Sequence, residues 1–241
     1  MRAFARQTWP ARELIVVHDG GDALHHEIAQ LAAQSPDAVI RVVSVPAGRT
    51  LGALRNHSID EARGTFVCQW DDDDLYHPAR IERQVACLRA AGAECCFLTD
   101  QMHLFADTGE MYWDDWTVEP PPQHLIQGTL LGYRDALPRY QDVARGEDTR
   151  LVIEIARRGA PIAELRDAGW LYVYVYDGQN VFERTHHAAI SAWKRRPGAT
   201  LVARREELLA RLREHEWPVP LVFMPHEHGR LHVVLPPRTR A

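Results

Sequence analysis

Lysine is nearly missing from this chain of 241 residues: Lys194 is the one lysine, and every other basic residue is arginine. With 28 basic against 33 acidic residues the net charge is −5, and the pI is near 6.2. That balance leaves no global basic field, which excludes a protein built to hold nucleic acid or an anionic membrane by charge. The arginine excess reads as coding bias, with some guanidinium groups available for phosphate. Cysteine is scarce too. Cys68, Cys87, Cys95 and Cys96 lack C-x-x-C spacing, which excludes the common zinc and dithiol motifs. They read as small buried apolar residues in a reducing cytosol. No apolar run approaches the ~20 residues that cross a bilayer, and the N-terminus lacks the apolar core of a signal peptide. A cytoplasmic protein is expected. Internal repeats and low-complexity linkers are absent as well.

What is present is an alternating rhythm. The run Leu14-Ile15-Val16-Val17 reads as a strand buried on both faces, and it ends at Asp19-Gly20-Gly21-Asp22. A helix follows over about 23–34, then a strand over 39–45. A second helix, 51–63, closes at Gly64, a strand covers 65–70, and a helix opens at Pro78. This pattern predicts the α/β class, with an open mixed, mainly parallel sheet flanked by helices. Beyond Gly92 the spacing predicts a strand over 94–105, a turn at 107–109, a helix over 145–159 and a strand over 169–178. A helix over 200–217 carries Leu201, Leu208, Leu209 and Leu212 on one stripe, which predicts packing on the domain; a homodimer contact and peripheral membrane docking are the minority readings. Residues 1–195 are expected to form one domain, and 196–241 a C-terminal helix with a Pro-rich tail.

The stretch "GTFVCQWDDDDLYHP" places four carboxylates, Asp71 to Asp74, at the end of a core strand. Adjacent carboxylates repel, and aspartate favours caps and turns over strands. In open α/β sheets ligands sit beyond the carboxyl ends of strands. Mg2+ and Mn2+ take oxygen ligands and usually keep substrate phosphates as partners. Asp71 and Asp73, one residue apart, suit one such ion bound to a diphosphate. The bland alternative is a solvated acidic turn, with Asp74 capping the next helix.

Two longer segments carry a resemblance. "RQTWPARELIVVHDGGD" is similar to Q-x-Y-P-x-x-E-I-I-V-V-D-D-G-S-x-D. "LGALRNHSIDEARGTFVCQWDDDDLYHPARIERQV" is similar to G-x-x-x-A-R-N-x-G-I-x-x-A-x-G-x-Y-I-x-x-L-D-D-D-D-x-x-x-P-x-R-L-E-x-Q. Both patterns belong to the family 2 glycosyltransferases with the GT-A fold, and the likeness runs from about Gln7 to Asp148, fading by about 195. The resemblance implies an inverting, metal-dependent transferase that moves a sugar from a nucleotide-diphosphate sugar, most often a uridine one, to an acceptor hydroxyl. Asp19 would meet the nucleobase, although the family's neighbouring aspartate is His18 here. Asp71 and Asp73 would hold Mn2+ or Mg2+ and the diphosphate, with Asp72 and Asp74 supporting. Arg55 would lie near the nucleotide; on the residues alone it pairs equally well with Asp60 or Glu61.

By the same resemblance, "GED" places Asp148 as the base and Glu147 as its helper, where a simpler reading is two acids at a helix start. Gly128, in Gln127-Gly128-Thr129, would line the donor sugar. "YDGQNVFERTHHAAI" resembles a tail whose histidine reaches the metal, which makes His187 or His186 a candidate ligand. Tyr112, Trp113 and Trp116 would shape the acceptor side, or else belong to the core. His25-His26 and His226-Glu227-His228 read as surface groups. The family opens with a strand like V-S-V-I-I-P-T-Y-N-R, whereas this chain begins in the helix that follows it, so that strand is expected to be lacking. A noncatalytic nucleotide- or sugar-binding relative is therefore the second reading. A nucleotidyltransferase is the third, weakened by the absence of a basic Gly-rich loop.

Overall fold

The computed structural model describes residues 1–215, 223–226 and 230–233. Its strands, in chain order, are β1 (Glu13–His18), β2 (Val39–Ser44), β3 (Phe66–Cys68), β4 (Leu75–Tyr76), β5 (Cys95–Leu98) and β6 (Asp100–Phe105). Then follow β7 (Glu110–Asp115), β8 (Leu131–Tyr133), β9 (Ile162–Leu165), β10 (Tyr172–Tyr176), β11 (Phe223–His226) and β12 (Arg230–Val233). The helices are α1 (Arg2–Ala5), α2 (Gly21–Ala33), α3 (Leu51–Glu61), α4 (Arg80–Ala91), α5 (Glu147–Arg157), α6 (Arg184–Lys194), α7 (Gly198–Ala203) and α8 (Arg205–Leu212). No helix among the described residues is long and apolar enough to cross a membrane.

These elements form two compact units interleaved along the chain. The first takes Met1–Trp70, Ile81–Phe97 and Gln127–Leu165. In it β1 and β2 pair in parallel, from Glu13 opposite Val39 to His18 opposite Ser44. β1 is half-buried over Glu13–Val17 rather than enclosed on two faces as its apolar run suggested, and β2 is half-buried with exposed ends. A second sheet has the order β3-β8-β5-β9, with β8 antiparallel to β3 and β5. Gly132 in β8 is required there, because a Cβ would stand 2.9 Å from the Cys95 Cβ and 3.1 Å from the Glu94 carbonyl. Ile81, Val85 and Leu88 of α4, spaced as one helical stripe, pack with Cys96, Leu131 and Ala163 to make the core of this unit. All four cysteines are free thiols; Cys95 and Cys96 are buried, and burial pushes the Cys95 thiol up to about 12. Thr50 caps α3 by accepting the Ala53 N–H, and the helix ends at Ala62 in extended backbone, short of the expected stop at Gly64.

The second unit takes Asp71–Arg80, Leu98–Ile126 and the described residues from Arg166 onward. Its sheet runs β11-β12-β7-β6-β10-β4. β6 and β10 are parallel, whereas β4–β10, β6–β7, β7–β12 and β11–β12 are antiparallel. The sheets are mixed, as expected, but the parallel share is smaller than the early rhythm suggested. The reason is the β6–β7 hairpin, which turns back at Gly109 with φ 72°. The strand expected over 94–105 breaks after Leu98. Asp100, fully buried, starts β6 and accepts the Trp113 indole N–H at 2.7 Å and the Gly169 N–H at 2.6 Å. The helix expected over 200–217 breaks at Arg204, whose guanidinium stacks 4.7 Å from the Trp113 ring and pairs with Asp167 and Glu207. Leu201, Leu208 and Leu212 are buried, as their stripe predicted. Residues 196–215 belong to the same unit as β6, β7 and β10. In the expected histidine surface group, Glu227 and His228 lie outside the described residues.

Candidate active site

In the first unit, Asp19 follows β1 directly. Its carboxylate accepts the N–H groups of Gly48 (2.9 Å) and Arg49 (3.1 Å), so it fixes the loop after β2. His18, where the family pattern has aspartate, is buried and meets the His25 ring at 3.1 Å. Arg55, on α3, pairs through Nε with Glu147 at 3.2 Å and lies 5.5 Å over the Tyr140 ring. The alternative partners are occupied elsewhere: Asp60 pairs with Arg139, and Glu61 with Arg41. Glu147 is 2% exposed. It holds Arg55 from the first turn of α5, next to Asp148.

Asp148 stands half-exposed in the first turn of α5, where Gly146 (φ 69°) lets the chain enter the helix. Its Oδ1 accepts the Thr149 N–H at 2.6 Å. Asn56 and the Tyr140 backbone bond reciprocally: the amide donates to the Tyr140 carbonyl at 2.8 Å, and its oxygen accepts the Tyr140 N–H at 2.9 Å. The Tyr140 hydroxyl donates to Gln69 at 3.0 Å. The Arg55-Asn56 pair thus ties α3 to the segment that delivers Glu147 and Asp148. Gly128 sits in a short 3-10 turn, Gln127–Thr129, and the Thr129 carbonyl accepts the Gln84 amide at 2.7 Å.

The four aspartates, in the second unit, are not equivalent. Asp74 is buried: it accepts the Tyr172 hydroxyl at 2.5 Å and the Val175 N–H at 2.9 Å. Burial, and then the charges of Asp71 and Asp73, push its carboxyl well above the ordinary range. Asp72 and Asp73 are exposed and Asp71 is half-buried. Although Asp73 reaches solvent, partial loss of water raises its carboxyl, and the charges of Asp71, Asp72 and Asp177 add to this. The set of Asp71 and Asp73 fits a hard divalent cation: such ions need only one or two protein carboxylates when water and a diphosphate supply the remaining oxygens.

His187, the proposed further ligand, lies in the same unit. It is 3% exposed on α6, stacked 5.5 Å from the Tyr174 ring and near Tyr176 (4.9 Å) and His103 (5.5 Å). Burial, then His103 and His186, push its imidazole down to about 4. Among the described residues no three His, Cys, Asp or Glu side chains converge as a metal-binding group. The helix that carries His187 turns its ring into this aromatic cluster. His186 stacks on Phe182 at 4.6 Å. Trp113 is fully buried, with Arg196 4.1 Å over its ring, so it is a core residue rather than a sugar platform.

The sequence profile described as "Glycosyl transferase family 2" matches residues 1–132. The chain belongs to glycosyltransferase family 2. Among curated relatives, the Bacillus subtilis protein EpsH is 30% identical over 136 residues, covering 55% of this chain and 38% of that protein. The succinoglycan biosynthesis protein ExoO of Rhizobium meliloti is 35% identical over 83 residues, covering 34% of this chain and 23% of that one. The chain thus spans well under half the length of these family members. Among solved structures, S. aureus TarS in complex with UDP superposes with a TM-score of 0.55 at 15% identity, over 79% of this chain and 64% of that one. The mannosyltransferase PcManGT from Pyrobaculum calidifontis, in complex with GDP-Man and Mn2+, gives 0.55 at 15% identity, over 88% and 64%. These two solved structures share the GT-A fold with this chain.

Sequence reading missed Tyr140, Gln69, Tyr76, Tyr172 and Arg80. The first two were legible only as parts of a loop and a strand end. The last three follow the aspartates or sit in a distant strand, and no spacing rule joins them.

Proposed function

We propose that this chain is an inverting, metal-dependent glycosyltransferase that moves a sugar from a UDP-sugar to an acceptor hydroxyl. The observation that carries this reading is the division of labour in the acidic run. Asp74 is sunk into the protein on dedicated donors, while Asp71, Asp72 and Asp73 remain at or near the surface as a concentrated negative loop. A solvated turn has no need of a buried anchor. Family membership and the GT-A neighbours support the same reading.

In this reading Asp71 and Asp73 hold Mn2+ or Mg2+. Once bound, the ion offsets charge that develops on the departing diphosphate. Asp19 and the Gly48–Arg49 loop it fixes serve the nucleoside, and Gly128 lines the donor sugar. Arg55, steadied by Glu147 and Tyr140, supplies positive charge near the nucleotide. Asp148 accepts the proton of the acceptor hydroxyl as its oxygen bonds to the anomeric carbon and the bond to diphosphate breaks. Transfer from an α-linked donor then gives a β-linked product.

Incubation with UDP-sugars and Mn2+, followed by NMR of the product's anomeric proton, tests this. Inverted configuration is expected, and Asp148→Asn is expected to lower turnover by roughly 10²–10⁴-fold, the usual worth of a general base. Retained configuration, or an Asp148→Asn variant as fast as the parent, contradicts the proposed roles.

A further inference from the structure

A loop of adjacent like charges does not hold its own shape, because repulsion between neighbouring carboxylates favours splaying. Something must fix it before a cation arrives, or ordering it would be charged against binding. Asp74 anchors one end, as described above. The other end has an anchor that no motif announces. Tyr76 lies on β4, a strand of two residues, where it stands opposite Tyr172 of β10. Its ring is 2% exposed, stacked 5.6 Å from the Tyr172 ring, with the fully buried Arg80 guanidinium 4.6 Å over its face. Held there, its hydroxyl turns back five residues to Asp71. It accepts the Asp71 N–H at 2.8 Å and donates to the Asp71 carbonyl at 3.0 Å.

One hydroxyl thus holds both backbone groups of a single residue. Fixing the N–H and the C=O fixes the peptide planes on either side of the Cα, and therefore the direction in which the Asp71 side chain leaves the backbone.

We infer that Tyr76 is a positioning residue for the cation–diphosphate site: it clamps the Asp71 backbone so that the Asp71 carboxylate is aimed before any ligand binds. The inference rests on the reading of Asp71 and Asp73 as the metal pair. Asp72 and Asp73 then span two fixed points, the clamped backbone of Asp71 and the buried carboxylate of Asp74. The ring, its stacking on Tyr172 and its contact with Arg80 secure the clamp, while the hydroxyl alone does the aiming.

Tyr76→Phe removes that hydroxyl and leaves the ring. Calorimetric titration of UDP, and separately of GDP, with and without Mn2+ reads the effect. The expected result is Mn2+-dependent affinity about tenfold weaker in the variant, the size set by one or two hydrogen bonds of ordinary worth. Affinity with EDTA in place of Mn2+ is expected to be equal in the two proteins, which a general loosening of the fold would not produce. Equal Mn2+-dependent affinity in variant and parent overturns the clamp. A parent that binds neither diphosphate overturns the metal reading of the loop instead. Amide hydrogen exchange on the parent decides the case if the variant does not fold. The Asp71 amide is expected to be protected before ligand is added, whereas exchange at the free-chain rate overturns the proposal.

Discussion

At the scale of single residues, similar side chains take opposite roles according to what surrounds them. Asp74 and Asp73 are neighbours in sequence, yet one is an internal anchor and the other an exposed charge. His187 shows the same dependence and gives a prediction in pH. An unfolded histidine binds a proton below about 6.5, whereas the buried His187 resists protonation until about 4. Across that window the unfolded chain binds more protons, so stability falls as pH drops from 6.5 toward 4 and is fully present above it. Denaturant midpoints measured from pH 4 to pH 7 should show this slope, and His187→Phe should flatten part of it. An unchanged slope in the variant would assign the effect to other groups. The sequence showed His187 as a histidine in a tail motif but not its surroundings. Those are set by Tyr174 and Tyr176 on β10, the strand just before α6, and by His103 on the distant β6.

At the scale of elements, the first 92 residues were the most legible. An apolar run ended by Asp-Gly, a helix closing near Gly64 and a Pro before α4 are local signals, and they placed β1, α2, β2, α3 and α4 within a few residues. The breaks at Thr99 and Arg204 were not legible, because each is set by a distant partner: Trp113 and Gly169 for Asp100, and Trp113 and Asp167 for Arg204. The Arg55-Asn56 pair was legible as a motif, but its local purpose was not. It belongs to a helix that packs very closely on the segment at Gln141 and Val143, far along the chain. A Cβ on Gly52 would stand 1.9 Å from the Gln141 carbonyl oxygen, and the Gly52 N–H donates to Val143 at 3.3 Å. Gly52→Ala is therefore expected to push the 140–147 segment outward, at a cost of about 1–3 kcal/mol for overpacking. Turnover should fall as well, since that segment leads to Asp148. A variant with parental stability and turnover would show that this contact does not hold the segment in place.

At the scale of the whole chain, the alternating rhythm identified the α/β class, and the long motif identified the family. The interleaving of two units did not emerge from the rhythm, because the return of β10 beside β6 is a long-range choice. The acidic run lies at the start of the second unit, immediately after the strand end that closes a segment of the first. Its purpose is the central claim. Titration of UDP in the presence of Mn2+ into the parent and into the Asp71→Ala, Asp73→Ala double variant tests it most directly. Binding by the parent that disappears with EDTA, and that the double variant lacks while keeping its fold, is the predicted result. Equal binding by the two proteins, or binding indifferent to Mn2+, would contradict it.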